Sequence, residues 1–393
     1  FPFFSPLKQK EYPEYNNRDL PPIHDVFTFD ECVNRYFSDN PIEETLKYYP
    51  IFLWWTITNI IPVRPIEFLR LKQNCLDPKS DGSYWITIPR YKLKSDSIDE
   101  EVHWDQPIPI DKNTYEVISN YLLRCEKVGE TEYLVPPLNW INRRFRGSRT
   151  VSENVVNTQD FNSLIRFFYE EIVQEQFGEF GLSRITAGDT RHFAIINLFL
   201  QGFNILSITR LSGHEMITSP SNYYTHAEHY ASSFVYKLAQ RKLEGNISSS
   251  IVDGFFGLKA RQLWRAKSGV ITDLETQNWR KVDYGFCSDT EFPANCVEDC
   301  RVCEPHYIFK PSVNEWQEGI KWLESQAKTL EKRISETLNL MVMVSIDTYG
   351  KILEGSEKLN DNEGKSLAIQ LFKYIDHKAL IEARMLEEGY KDE

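Results

Sequence analysis

The stretch from Thr186 to His226 organises this chain. It runs Thr-Ala-Gly-Asp-Thr-Arg191-His192 into an apolar helix carrying Phe193, Ile195, Ile196, Leu198, Phe199 and Leu200, which stops at Gly202. Asn204 caps a short second helix with Ile205, Ile208 and Leu211, and Gly213 ends it. Ser212-Gly213-His214 and Asn222-Tyr223-Tyr224-Thr225-His226 follow. None of these residues is informative alone. Together they place an arginine, a histidine and a tyrosine on successive short elements. Arginine supplies a planar fork of donors matched to phosphate oxygens, histidine can donate to a second oxygen or handle a proton, and a tyrosine hydroxyl can form a covalent phosphoester. The set suits attack on a phosphodiester. A DNA-reading helix-turn-helix is the other interpretation of the helix pair.

Length and composition bound the rest. At 393 residues, 41% apolar and 13% aromatic, the chain is globular and long enough for two or three domains. The longest apolar run, Tyr48 to Ile61, is broken by Pro50, Thr56, Thr58 and Asn59 and is too short to span a membrane. No signal peptide is visible. The chain opens Phe-Pro-Phe-Phe without Met, so upstream residues are expected to be missing. A net charge of -12 argues mildly against nucleic acid, but the distribution of charge matters more than its sum. Arg143, Arg144, Arg146 and Arg149 crowd one loop, while Glu170, Glu171, Glu175 and Glu179 lie elsewhere. Of seven cysteines, Cys32, Cys75 and Cys125 are scattered in apolar segments and read as reduced core residues of an intracellular protein.

Residues 1–22 are rich in Pro, Tyr and charge and read as a tail or linker. Thr28-Phe-Asp-Glu31 has the form of a capping box opening a helix with Val33, Tyr36 and Phe37. Asn40-Pro41 starts a second helix that runs into the buried apolar stretch. At Val63-Arg64-Pro65-Ile66-Glu67-Phe68-Leu69, Pro65 opens a helix with Arg64 at its mouth, where backbone N–H groups favour an anion. Tyr84 to Pro89 and Trp104 to Ile110 alternate as strands, their prolines predicting edge positions. Arg90-Tyr91-Lys92-Leu93-Lys94 lies between them. Asn113 to Cys125 reads as a helix, and Phe161, Leu164, Ile165, Phe168 and Ile172 form the core stripe of another.

With Arg64-x-x-Glu67-Phe68, the hairpin lysines, Arg191-His192, Leu211-x-Gly213-His214 and Tyr224-Thr225-His226 in this order, residues 23–245 resemble the tyrosine recombinase (phage integrase) family. The resemblance implies a mostly α fold with a small β-sheet, of the α+β class. It implies that Arg64, Lys92, Arg191, His214 and Tyr224 are catalytic, with Lys94 an alternative to Lys92 and Tyr223 an alternative to Tyr224. Tyr224 would attack a DNA phosphate, Arg64 and Arg191 would hold its oxygens, and Lys92 would protonate the leaving 5′ oxygen, with no ATP and no catalytic metal. Double-stranded DNA is the expected partner, with Arg143, Arg144, Arg146 and Lys94 as contacts, and a tetramer is expected on paired sites. The setting it implies is a mobile element in the bacterial cytoplasm, at the nucleoid when bound to DNA, with no membrane association. Family members usually clamp DNA with a helical domain ahead of the catalytic one, and here only about twenty residues precede it. The family usually has His or Lys where this chain has Gly188, so the proton of Tyr224 must pass to His214 or a water, unless Arg184 fills the space. Two further readings of the chain are a non-catalytic DNA-binding protein that kept the fold and a type IB topoisomerase-like enzyme.

Beyond this unit lies a basic and Cys-rich module, residues 246–310. Cys287-x8-Cys296-x3-Cys300-x2-Cys303, with His306 close behind, has the compactness of a structural zinc site; a redox pair at Cys300 and Cys303 is the rival. Such a module resembles the cysteine-rich tail of some transposon-borne recombinases. Residues 311–393 form a helical tail. Val313, Trp316, Ile320, Leu323, Ala327, Leu330 and Ile334 step by three and four, a seam that can pair with a second chain or fold back on the segment from Ser366 to Leu386.

Overall fold

The computed structural model describes residues 20–93, 101–125, 129, 131–145, 155–213, 227, 231, 279–294, 296, 299–303, 306–353 and 362–387. The amphipathic α1 (Ile23–Asp39) buries Val26, Phe29, Val33 and Tyr36. It begins before the expected Thr28. Pro22 occupies the N-cap position, and Thr28 sits inside the helix with its hydroxyl donating to the His24 carbonyl at 3.1 Å, as mid-helix threonines do. After α2 (Ile42–Thr45), α3 (Tyr49–Thr58) is apolar on all sides and buried from Tyr49 through Thr58, Phe52 alone being partly covered. Two of its polar side chains are matched: Trp55 Nε1 donates to the fully buried Asp30 carboxylate at 2.7 Å, and the Thr58 and Thr190 hydroxyls meet at 2.6 Å.

The short α4 (Pro65–Leu69) leads to a three-stranded antiparallel sheet of β1 (Leu76–Pro78), β2 (Tyr84–Leu93) and β3 (Glu101–Ile110), in that order. The strands run further into the hairpin than the alternation alone predicts. β2 is central despite Pro89. β1 stops opposite Ile86, so beyond that point β2 is paired on the β3 side alone, and the missing N–H of Pro89 breaks no ladder.

α5 (Lys112–Cys125) and the short α6 (Leu138–Ile141) precede α7 (Thr158–Phe168), capped by Asn157, whose side chain accepts from the Asp160 N–H. Phe161, Leu164, Ile165 and Phe168 face the core as the stripe requires, and the helix continues as a π-helical turn through Gln176. α8 (Asp189–Leu200) is buried along its length except for a half-buried His192, and packs on α3. α9 (Ile205–Ser212) opens on Asn204, whose side chain accepts from Ser207 N–H at 2.8 Å, and closes on left-handed Gly213. Cys32 and Cys75 are buried free thiols in this core, and burial, the largest effect on each, pushes both up to about 12.

A second antiparallel sheet, β4 (Arg280–Val282), β5 (Gly285–Cys287) and β6 (Tyr307–Phe309), precedes α10 (Trp316–Leu353) and α11 (Asn362–Glu387). From Ile320 onward the α10 seam folds back on α11, Ile320, Leu323 and Leu330 sharing a cluster with Ile381, Tyr307 and Phe309, whereas Val313 precedes the helix and is exposed, as is Trp316. Further along, Ile334, Leu338 and Met341 join Leu371 and Ile375 in the main core. The described residues therefore form a mostly helical α+β fold with two small sheets. No helix among them is long and apolar enough to cross a membrane.

Glu315 joins the second sheet to the start of α10. Its carboxylate accepts from the Ser312 hydroxyl at 2.7 Å, the Lys281 ammonium at 3.0 Å and the Ser312 N–H at 3.1 Å, which together hold it down from 4.5 to about 2. A carboxyl depressed on folding contributes stability that is full above its unfolded value and is lost as pH falls through the folded one. Glu315→Gln should therefore lower the melting temperature at pH 7, and the gap to the parent should close between pH 4.5 and 2. Thermal melts across that window check it; a gap independent of pH would contradict this role.

Candidate active site

Pro65 fixes the first turn of α4 and leaves Arg64 as its N-cap in extended conformation. One turn on, Glu67 is fully buried. Its carboxylate accepts from the Arg64 backbone N–H at 2.7 Å and from Arg64 Nη1 at 2.8 Å. Arg90 Nη1 reaches the same carboxylate at 2.9 Å, the Tyr91 N–H approaches at 3.4 Å, and Arg191 Nη1 stands 3.8 Å away. Three guanidiniums thus surround one carboxylate, and the cluster carries about two net positive charges. An unpaired buried carboxylate would shed its charge, and these partners remove that need.

Arg191 lies in the first turn of α8. Its Nη1 donates to the Pro62 carbonyl at 2.9 Å and its Nη2 to the Ser212 carbonyl at 2.7 Å. The second bond fixes the end of α9, directly before Gly213 and position 214. Arg90, on β2, is wholly buried. Its Nε donates to Gln106 Oε1 at 2.7 Å and its Nη2 to the Leu211 carbonyl, while Gln106 Nε2 donates to the Arg210 carbonyl at 2.9 Å. Burial, the largest effect, lowers the Arg90 pKa; Glu67 opposes it and Arg64 adds to the lowering.

Of the residues expected from sequence, Arg64 and Arg191 are brought together. Lys92 lies on β2 opposite Val102, its backbone two positions beyond Arg90. Lys94, Arg146, His214, Tyr223 and Tyr224 lie outside the described residues. Ala227 and Ala231, just after that tyrosine pair, are helical and buried in the main core. Gly188 is the N-cap of α8; Arg184 is exposed and exerts its charge on Tyr169. Arg143 is exposed. Arg144 is held by Glu170 at 3.0 Å and Glu171 at 3.2 Å, over the ring of Phe167. Burial works against its positive charge, yet those two carboxylates outweigh it and raise the pKa.

Sequence reasoning missed the roles of Glu67 and Arg90. Glu67 was in plain view within Arg64-x-x-Glu67. Arg90 had a signal too: Ile86, Ile88 and Arg90 share one face of β2 by the period of two, which puts a charge on a core face.

In the C-terminal module Cys287 is buried, Cys300 and Cys303 are half-buried and Cys296 is exposed. Burial first, then the nearby Cys296 within hydrogen-bonding reach and the field of Cys287, raises the Cys300 thiol. Among the described residues no group of three or more His, Cys, Asp or Glu side chains is arranged to hold a metal ion. Arg384 of α11 clasps the module, donating to the Arg301 carbonyl at 2.7 Å and the Cys303 carbonyl at 3.0 Å.

No protein-family model matches the chain, and no curated protein matches it. Among solved structures it is similar to the XerH site-specific recombinase bound to difH in a pre-cleavage complex. The identity is 14% and the TM-score 0.36, over 55% of this chain and 53% of that one. The post-cleavage XerH complex with palindromic difH gives 14% and 0.37 over 55% and 52%, and the XerA recombinase 15% and 0.33 over 51% and 57%. The chain thus spans about half the length of each.

Removing Glu67 leaves buried guanidiniums facing one another without their anion. Glu67→Ala should cost about 3–5 kcal/mol, the range for breaking a buried pair. Chemical denaturation measures it, and a loss under about 1 kcal/mol would show that the arginines find other partners.

Proposed function

We propose that this chain is a site-specific DNA recombinase that cleaves and rejoins DNA through a 3′-phosphotyrosine. The observation that carries this reading is the convergence of Arg64 and Arg191, from separate helices, on one buried carboxylate beside the end of α9, where the chain continues into His214 and then Tyr224. Two guanidiniums so placed can grip the two non-bridging oxygens of a phosphodiester as charge develops in the transition state.

In this reading the Tyr224 oxygen attacks phosphorus in line and the bond from phosphorus to O5′ breaks. The tyrosine proton passes to His214 or water, because Gly188 has no side chain to take it. Lys92 delivers a proton to O5′. The phosphotyrosine conserves the bond energy, so a 5′ hydroxyl of a partner duplex can reseal the strand without ATP. Transposition of a mobile element in a bacterial cell, with four protomers on paired duplexes, is the setting we infer. Arg143, Arg144, Arg146 and Lys94 serve as further phosphate contacts, Arg144 by exchanging its carboxylates for phosphate.

The test starts from a library of nicked duplexes of randomised sequence, with covalent adducts captured on denaturing gels and sequenced. Wild type should yield an adduct on a defined site. Tyr224→Phe should abolish it and Tyr223→Phe should retain it, while Arg191→Ala should lower its rate by about 10²–10³-fold, the scale for removing one charge-stabilising donor. A specific complex that never becomes denaturant-resistant would sink catalysis and leave a DNA-binding protein, the reading favoured by Gly188. Relaxation of supercoiled plasmid without site preference would point instead to a topoisomerase.

We also propose a structural zinc held by Cys287, Cys296, Cys300 and Cys303. The support is the soft donor set at compact spacing and the approach of Cys296 to Cys300. Metal analysis of the purified chain should find about one zinc per chain, lost in Cys300→Ser together with some thermal stability. Metal-free protein with a Cys300–Cys303 disulfide would overturn it in favour of the redox pair.

A further inference from the structure

We propose that Arg90 is the positioning residue for the general acid, setting where Lys92 stands relative to the two phosphate-gripping arginines. The inference rests on the strand-cleavage reading above and deepens it.

Arg90 ties its own strand, which carries Lys92, to α4, to the end of α9 and to β3. Its Nη1 holds Glu67 on α4, whose N-cap is Arg64. Its Nη2 holds the Leu211 carbonyl at the end of α9, which leads to His214. Its Nε holds Gln106 across the hairpin on β3, and Gln106 returns to α9 through the Arg210 carbonyl. The fit is close. A Cβ at Gly213 would stand 3.2 Å from Arg90 Cδ and Nε, and Gly213 has a φ of +62°, so a side chain there would press on the guanidinium from a strained backbone.

The strand then carries this position forward. Ile86, Ile88 and Arg90 lie fully buried at every second residue of β2, and position 92 is the next place on that side, about 6.6 Å further along. On the other face the Arg70 guanidinium stacks 4.4 Å from the Tyr91 ring, and the Tyr91 N–H approaches Glu67. Both faces of the strand are therefore tied to α4 at residues 90 and 91, immediately before 92. A planar fork can satisfy three acceptors at once; an ammonium at the end of a flexible stem cannot hold that geometry.

If Arg90 acts through Lys92, its loss should harm proton delivery to O5′ more than phosphate binding. A duplex whose bridging 5′ oxygen is sulfur separates the two. The thiolate leaves without a proton, because a thiol ionises near pH 8.5, whereas an alkoxide leaving group needs one. The experiment uses the full chain and nicked duplexes of the selected site, with oxygen or sulfur at the bridging position.

On the oxygen substrate, Arg90→Lys should slow adduct formation by about 10²-fold or more, in the range for a lost general acid. On the sulfur substrate it should come within about tenfold of wild type, the pattern also expected of Lys92→Ala. Gln106→Ala, which removes one partly exposed partner of Arg90, should show the same pattern with smaller losses and keeps the test open if the Arg90 variant fails to fold. Arg191→Ala should stay slow on both substrates. Equal losses on oxygen and sulfur for Arg90→Lys and Gln106→Ala would overturn the proposal, as would unimpaired oxygen cleavage by Gln106→Ala. No adduct from wild type on either substrate would instead remove the strand-cleavage reading, and this inference with it.

Discussion

The carboxylate of Glu67 is the interaction on which the site depends. A charge with no exposure to solvent costs several kcal/mol to bury, and it stays ionised only where donors replace the water it gave up. Here those donors come from α4 itself and from Arg90, with Arg191 a little further off. Each arginine belongs to a different part of the chain, so one carboxylate fixes the relative places of α4, β2 and α8. Because three cations meet one anion, the cluster keeps an excess of positive charge. That local excess, and not the net charge of -12, is what an approaching phosphate would sense.

Such a cluster needs a rigid frame, and α3 with α8 supplies it. Both helices are enclosed on nearly every side, so neither can rotate without exposing apolar surface. The two are joined by the meeting of Thr58 and Thr190 and by the Trp54 indole, which donates to the Ala187 carbonyl at 3.3 Å. Arg191 is one residue beyond Thr190. Its guanidinium therefore starts from a fixed backbone, and its two carbonyl bonds, to Pro62 and Ser212, complete its placement.

Much of this was legible in the sequence, and the exceptions have physical causes. The apolar run of α3, the stripe of α7, the Asn204 cap and the Gly213 stop are local signals, and the structure carries them where expected. The start of α1 was misread because Thr28-x-x-Glu31 has the spacing of a capping box, and that same spacing of three occurs within any helix. Pro89 suggested an edge strand because sequence does not show where a neighbouring strand ends. Arg64 and Arg191 could be found from motif order. The period of two puts Arg90 on the inner face of β2, but its partners could not be read that way, since nothing local says that such a charge will meet a carboxylate from one helix and a carbonyl from the end of another. His214 and Tyr224 lie outside the described residues, so sequence alone speaks for them.

The C-terminal helices belong to the same mechanical system. Gly202, in the turn between α8 and α9, lies so close to Gly364 at the start of α11 that a Cβ on it would fall 2.3 Å from the Gly364 carbonyl oxygen. Only two glycines allow backbones to meet this closely. At its other end α11 holds the cysteine module through Arg384 and the carbonyls of Arg301 and Cys303. Between these points Leu371 and Ile375 are buried in the main core. Displacing α11 would thus disturb the α8–α9 turn, and with it the Ser212 carbonyl that Arg191 holds. The tail forms part of the foundation of the arginine cluster, and whatever stabilises the cysteine module acts at one end of a helix whose other end bears on the site.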